Sequence, residues 1–475
     1  MANLKLYIGK KQKMIKKLLK KTPATDFSSV DNAPEEIIKK RKDFIESISS
    51  PFELLADIPD VEFNNYHRVP FPFADFIAEK VPPNNIVNNE TDTFYSYGVD
   101  IFGDEKIYHD FIQQALNDTK DFTLKLGKYH PVVKDNVDRL KAISGLEQVT
   151  FHMSGTEAVQ AAIRVARFNT GKKTVIRYGK GYHGWIDIDN CVDIKHAGEA
   201  YLTVDAACVI VNPLTALYRK GVSKSDALLF ASANGNTFSK TWFTKELNCL
   251  REYCDEHNIP LIIDDVFLGF RLAYGGSQEY FGVEADIVTY GKTLGGGLPV
   301  GVVCGKAHWL KKFDEKHPLR FLASRGTFAN HPVVMLSMNN FLKHLDPTIY
   351  ADSSRIWDNR INQLNKQLQD FPLYFDNMQT IVTTHYTDNS RYNWMLQFYL
   401  QQEGLILGPY GTGRFIFPIT LGDKYWLNVE GKIISAVQNM HKDGWWYVEP
   451  NIKKKKIFWR LVKQNIKLYF TRRNH

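Results

Sequence analysis

Between residues 105 and 305, short apolar runs alternate with stretches whose apolar positions recur every three to four residues. Runs of four to six aliphatic and β-branched residues bounded by turn formers predict strands. They fall at Val149–His152, Thr174–Tyr178, Ala206–Val211, Leu228–Ala231, Leu261–Asp264, Ile287–Tyr290 and Val300–Cys304. Near-continuous apolarity, rather than alternation, is what strands covered on both faces require. The pattern therefore predicts an α/β unit with a mostly parallel sheet flanked by helices. After residue 333 longer helical periods with a few strands predict a smaller α+β domain. The expected organisation is a basic amphipathic segment (1–21), a segment contributing to the small domain (22–104), a large domain (105–332), a small C-terminal domain (333–447) and a basic tail (448–475).

Charge changes the picture only at the ends. The net charge is +8, but residues 1–21 hold eight lysines and residues 453–475 hold nine Lys or Arg, with no acids in either. The rest carries 43 basic against 52 acidic residues, so the body is acidic. Nothing in it offers a module that reads DNA or RNA, and no nucleic-acid partner is expected. Each tail sets an apolar stripe (Met14, Ile15, Leu18 and Leu19; Trp459, Val462, Ile466 and Tyr469) beside its cations. Solvated helical ends look like this, and so do segments that attach to an anionic membrane surface or an acidic protein. Five scattered cysteines without a CxxC pair indicate neither a disulfide framework nor a metal site. A cytoplasmic setting is expected, peripheral at a membrane if the tails bind one. The longest apolar run, Ala206–Val211, is too short to span a bilayer, and the N-terminus lacks a signal-peptide core.

Four features carry candidate chemistry. Leu261–Asp264 ends in an acid, which places a carboxylate at the strand edge where open α/β sheets bind ligands; a cap or turn is the ordinary alternative. Ile287–Tyr290 delivers Gly291-Lys292 and then three glycines, a lysine where backbone can approach a ligand closely, or else a surface charge. Together Asp264 and Lys292 form an anion and an amine on successive strand ends, as imine chemistry needs. Val149–His152 leads through Ser154-Gly155-Thr156-Glu157 into a helix with Ala158, Val159, Ala162, Ile163 and Ala166 on one face. The N–H groups of Gly155 and Thr156 would face a phosphate there; Ser154 and Glu157 also read as a capping box. Gly181-Tyr182-His183-Gly184 offers an aromatic ring to stack on a flat cofactor, or to pack beneath its own loop.

These segments, continued by Asp264-Asp265-Val266, Gly269-Phe270-Arg271, Gly295-Gly296-Gly297-Leu298-Pro299 and Gly326-Thr327-Phe328, occur in order over residues 90–440. In that order they resemble the class III aminotransferases that use pyridoxal 5'-phosphate, on the fold type I scaffold. The resemblance is closest to the glutamate-1-semialdehyde 2,1-aminomutase branch. It implies a transaminase in which Lys292 carries the cofactor as a Schiff base and Asp264 pairs with the ring nitrogen. Val266 and Tyr182 would flank the ring, and Ser154, Gly155, Thr156 and His183 would belong to the cofactor site. Thr327 would reach the phosphate across a homodimer interface. Tyr97 and Arg414 are candidates for the substrate, Arg414 for its carboxylate. The same parts serve mutases, decarboxylases and epimerases, and a scaffold working through its tails is the non-enzymatic reading.

Three departures bear on the substrate. Asp265 stands where the family usually has Glu, so the longer acid's contact is expected to be out of reach. Asn212-Pro213 replaces Glu-Pro, making a charged position neutral near the expected carboxylate end. About 22 residues separate Trp185 from Ala207, which is short where the aminomutases form a gating loop, while Leu214–Lys240 is longer than usual. A shortened lid suits a bulkier or carrier-attached substrate.

Overall fold

The computed structural model describes residues 94–95, 100–120, 129–218 and 240–446, interrupted at 180, 187–188, 204, 315, 325, 388–392, 394–395 and 407–413. Both basic tails, Tyr97 and the predicted strand Leu228–Ala231 lie outside the described residues. After a two-residue strand β1 (Phe94–Tyr95) come helices α1 (Glu105–Asp118) and α2 (Val132–Ser144). The main sheet is then built from β2 (Gln148–His152), β3 (Thr174–Tyr178), β4 (Cys191–Ile194), β5 (Ala206–Val211), β6 (Leu261–Asp264), β7 (Ile287–Gly291) and β8 (Gly301–Gly305). Its order is β2-β8-β7-β6-β5-β3-β4. Strands β4, β3, β5, β6 and β7 run parallel, and β8 runs antiparallel between β7 and β2. This is the mostly parallel sheet covered on both faces that the apolar runs predict.

Every residue of β5, β6, β7 and β8 is buried. On one face α3 (Gly155–Thr170) lays Ala158, Val159, Ala162, Ile163 and Ala166 against Ile210, Ile262 and Val303. Helix α4 (Lys240–Glu256) packs Phe243, Leu247 and Leu250 on Val209 and Leu261. The short helix α5 (Gly276–Phe281) follows β6. Asp286, just before β7, ties three of these pieces together. It accepts from Leu261 N–H (2.8 Å) and Arg251 (2.6 Å), and pairs with Lys306 (2.8 Å). Burial alone would raise its pKa, but these partners outweigh burial and hold it below the usual carboxylate value.

Helix α6 (Pro332–His344) contributes Met335, Met338 and Phe341 to the cluster under Val288, Tyr290 and Val302. By packing it goes with the large sheet, although the sequence pattern changes at 333. A separate core starts at Trp357 and runs to Trp445. It is formed by α7 (Ser353–Gln367), β11 (Leu373–Met378), β12 (Ile381–Tyr386), α8 (Leu396–Gln402), β14 (Arg414–Ile416) and α9 (Asp423–Lys442), where β11-β12-β14 form an antiparallel sheet. Two further short pairings are β9 (Phe313–Asp314) with β10 (His317–Phe321), and β1 with β13 (Leu405–Ile406). Among the described residues no helix is long and apolar enough to cross a membrane.

The stretch between Trp185 and Ala207 folds as the edge strand β4 and a 3-10 turn, Ala197–Leu202. It extends the sheet at the far edge from β2. Of the segment expected to be long, residues 213–218 form a 3-10 turn and 219–239 lie outside the described residues.

Candidate active site

Because β8 runs antiparallel, its start lies at the same edge as the ends of β2, β6 and β7. That edge gathers the turn before α3, Asp264, Lys292 and the loop after β3. Ser154 caps α3: its hydroxyl accepts from Glu157 N–H (3.2 Å), and the Glu157 carboxylate accepts from Met153 N–H (3.0 Å). With Ala158 N–H bonded to the Ser154 carbonyl, the first-turn N–H groups of Gly155 and Thr156 are left for an outside acceptor.

Two glycines make this turn possible. A Cβ on Gly155 would lie 2.4 Å from Val266 Cγ1, and one on Gly301 would lie 2.0 Å from the Ser154 carbonyl oxygen. The second contact is backbone against backbone, so only glycine lets β8 begin there. Gly184, at φ +79°, brings its loop onto the Thr156 hydroxyl, where a Cβ would come within 2.2 Å.

Asp264 is 3% exposed. Its Oδ2 lies 2.7 Å from His183 Nδ1, while Oδ1 accepts from Val266 N–H (3.2 Å) and the Thr289 hydroxyl (3.3 Å). An ionised carboxylate only accepts, so Nδ1 carries the hydrogen. The other ring nitrogen of His183 is buried and has no hydrogen-bond partner among the described residues. A carboxylate can accept about four hydrogen bonds, which leaves Asp264 capacity for a further donor. The next acid faces the other way. Asp265 accepts from the Ser277 N–H (2.7 Å) and the Ser277 hydroxyl at the start of α5. Burial, helped by the charge of Asp264, pushes its pKa up to about 7. The shorter acid therefore serves the fold beneath the site.

Lys292 follows β7 in the left-handed region, at φ +50°, a strained position for a side chain with a Cβ. Its neighbour Thr293 anchors the turn through a 2.9 Å hydrogen bond between hydroxyls to Tyr108, which also accepts from Ile101 N–H. The lysine side chain is open to the cleft, yet enough protein surrounds it that desolvation lowers its pKa. Asp264 opposes that shift and Arg414 adds to it. Arg414 opens β14 and is half-buried. The two cations share a neighbour: Lys292 Nζ is 5.7 Å, and Arg414 Cζ 5.9 Å, from the ring centre of Phe267.

Of the residues singled out in the sequence, Ser154, Gly155, Thr156, His183, Asp264, Val266 and Lys292 come together at this edge. Tyr182 belongs to the same loop as His183 and is 74% exposed. Thr327 is exposed; its neighbour Gly326 lies beside Met153 and Glu157 of the same chain. Asn212 is 7% exposed; its amide donates to the Tyr182 carbonyl (2.8 Å) and its Oδ1 accepts from Leu214 N–H. It supports the Tyr182–His183 loop rather than presenting a group to the cleft. Sequence reasoning missed Phe267, Gly301 and the Tyr108–Thr293 bond. Only Phe267 carried a signal, as an aromatic two residues before Gly269 at a strand end.

Comparison with known proteins adds the following. The class-III aminotransferase family profile matches residues 230–435. A glutamate-1-semialdehyde 2,1-aminomutase of Methanococcus vannielii is 31% identical over 310 residues, 60% of this chain and 69% of that one. The same-named protein of Methanocaldococcus jannaschii is 34% identical over 233 residues, 46% of this chain and 53% of the other, so the chain spans about half of that relative's length. Among solved structures, a β-phenylalanine aminotransferase from Variovorax paradoxus superposes with TM-score 0.65 at 18% identity, covering 86% of this chain and 98% of that one. An omega-transaminase from Sphaerobacter thermophilus gives TM-score 0.58 at 20% identity, covering 75% and 86%. These two likenesses concern the fold; the sequence relatives carry the kinship. The chain belongs to the class-III aminotransferase family.

Proposed function

We propose that the chain is a pyridoxal-phosphate-dependent aminotransferase acting as a homodimer on a small, carboxylate-bearing amine or carbonyl compound. The observation that carries this reading is the meeting of three groups at one sheet edge: a buried carboxylate, an amine of lowered pKa, and a helix start with N–H groups to spare. They match the cofactor's ring nitrogen, its aldehyde carbon and its phosphate. The donor set fits in chemistry as well, since Asp264 keeps acceptor capacity for one more N–H.

When bound, pyridoxal phosphate supplies an electron sink for the carbon next to the transferred nitrogen. The chain's own groups do the rest. Asp264, held by His183, keeps the ring nitrogen protonated through a charge-assisted hydrogen bond. Lys292, its amine kept neutral more readily by desolvation, is the group that would hold the cofactor at its aldehyde carbon. The same Nζ would stand as the general base and acid of the site, placed to take a proton from the substrate carbon and to give it back. Val266, braced against Gly155 and Gly291, offers a fixed apolar face to one side of the ring, and Tyr182 covers the other. Ser154, Gly155 and Thr156 take the phosphate, with Thr327 reaching it from a second copy. The exposed Phe313, Leu319, Phe321 and Phe328 support such a pairing, since large apolar side chains gathered in one stretch of chain favour burial. Arg414 anchors the substrate carboxylate.

The names of the relatives favour a second reading, transfer within one substrate molecule as in an aminomutase. Release of a keto acid from a donor such as glutamate or alanine separates the two. The first experiment records the absorption of purified protein with pyridoxal phosphate, before and after borohydride, beside Lys292→Ala. A band lost on reduction and absent from the variant is expected; no band in either protein would overturn the assignment.

A further inference from the structure

A second cleft, of about 210 Å³, lies where the 3-10 turn Pro347–Tyr350 and the start of α7 meet the chain at Ile419 and Leu421. None of its lining residues belongs to the edge that gathers Asp264 and Lys292. Ile349, Ile356, Ile419 and Leu421 make its walls largely aliphatic, and one cation stands among them. Arg360 is 7% exposed, with Cζ 4.9 Å from the ring centre of Trp357 and 5.7 Å from that of Trp426. Both of its hydrogen bonds leave from Nη2, to the Leu421 carbonyl (2.9 Å) and the Asp423 carboxylate (2.7 Å). Its Nε is buried without a partner among the described residues, and Nη1 makes no bond to them either. Ser353, 6% exposed, opens α7 and lines the same cleft with a hydroxyl that is likewise buried and unpartnered.

Buried polar groups are nearly always hydrogen-bonded, so two side chains with spare capacity on one cleft call for an acceptor from outside. As a strut between α7 and the Leu421 loop, Arg360 needs only Nη2. Its one counter-charge, Asp423, has a side chain 88% exposed, where water screens it. Asp352 also lines the cleft, but its carboxylate is paired with Arg355 (3.0 Å). We propose that this cleft is a binding site for a small monocarboxylate with a short apolar chain, separate from the active site. The carboxylate takes the spare donors of Arg360 and the Ser353 hydroxyl, a charge-assisted contact in a largely apolar setting. The chain lies along Ile349 and Ile356 and gains by the area it covers there.

Binding of hexanoate, and of hexanamide as its neutral counterpart, is followed by ligand-observed NMR on the full chain with pyridoxal phosphate. The chain carries Arg414→Gln, so that the active-site arginine holds neither compound. Hexanoate is expected to bind, and hexanamide roughly tenfold more weakly, as the loss of a charge-assisted bond requires. Arg360→Gln should cost hexanoate a similar factor. Ile356→Trp, at a position 37% exposed, puts a larger side chain into the cleft while leaving Arg360 in place, and should abolish binding. A thermal melt checks each fold, and Ile356→Trp decides alone if the Arg360 variant does not fold. No binding of hexanoate, equal binding of acid and amide, or binding unaltered by Ile356→Trp would overturn the proposal.

Discussion

His183 and Asp264 are joined by a 2.7 Å contact between Nδ1 and Oδ2, with neither side chain more than 4% exposed. A hydrogen bond to a buried charge contributes roughly 1.5–3 kcal/mol. Replacing His183 by Leu should therefore lower cofactor affinity or kcat by roughly 10- to 100-fold, and His183→Asn, which can still donate, should lose less. Steady-state kinetics and cofactor titration check this. Equal behaviour of the leucine variant and the wild type would mean that Asp264 needs no support.

The Gly301 contact predicts a local loss of fold. Gly301→Ala drives a Cβ onto the Ser154 carbonyl, and overpacking of this kind costs about 1–3 kcal/mol. A clear drop in Tm and weakened phosphate binding should follow together. Gly198→Ala, where nothing lies within 4 Å of the added carbon, is the control and should leave both unchanged.

Two buried carboxylates should tilt stability in opposite directions with pH. Asp265, pushed up to about 7, keeps its proton in the folded chain after the unfolded chain has released it. Its contribution is complete below about pH 4 and is lost as pH rises toward 7. Asp286 is held below its usual value, so its contribution is complete above about pH 4 and is lost as pH falls. Denaturant unfolding across pH should show Asp265→Asn removing the loss between pH 4 and 7. Asp286→Asn should destabilise most at neutral pH, by about 3–5 kcal/mol as for a broken buried pair.

Arg414 lowers the pKa of Lys292. Arg414→Gln should raise it, shifting the pH dependence of lysine capture by a neutral aldehyde to higher pH. The absence of a shift would place the guanidinium too far away to act.

The central strands were legible because burial on both faces leaves a run such as Ala206–Val211 with no polar interruption. Strand β4 was missed for the opposite reason. At the sheet edge Val192 and Asp193 are exposed, and no apolar run marks the strand. The residues gathered at the site could be read as strand ends followed by turns, since strand ends share an edge. What lies between distant residues could not be read. Gly301 meets Ser154, and Tyr108 meets Thr293, across separations that no periodicity reports. Asn212 illustrates a related limit. Its neutrality drew attention toward the substrate, whereas its amide holds the Tyr182 carbonyl.

Strands β7 and β8 are paired from Gly291 with Gly301 back to Ile287 with Gly305, so Lys292 opens a hairpin clamped at both ends. Such a hairpin cannot hinge. On the function proposed above, the Lys292 amine is a stationary pivot, and any adjustment of the site must come from the wall opposite, where Arg414 rides on a separate three-stranded sheet. Reshaping the site for a different ligand would accordingly mean recutting that wall while leaving the pivot alone.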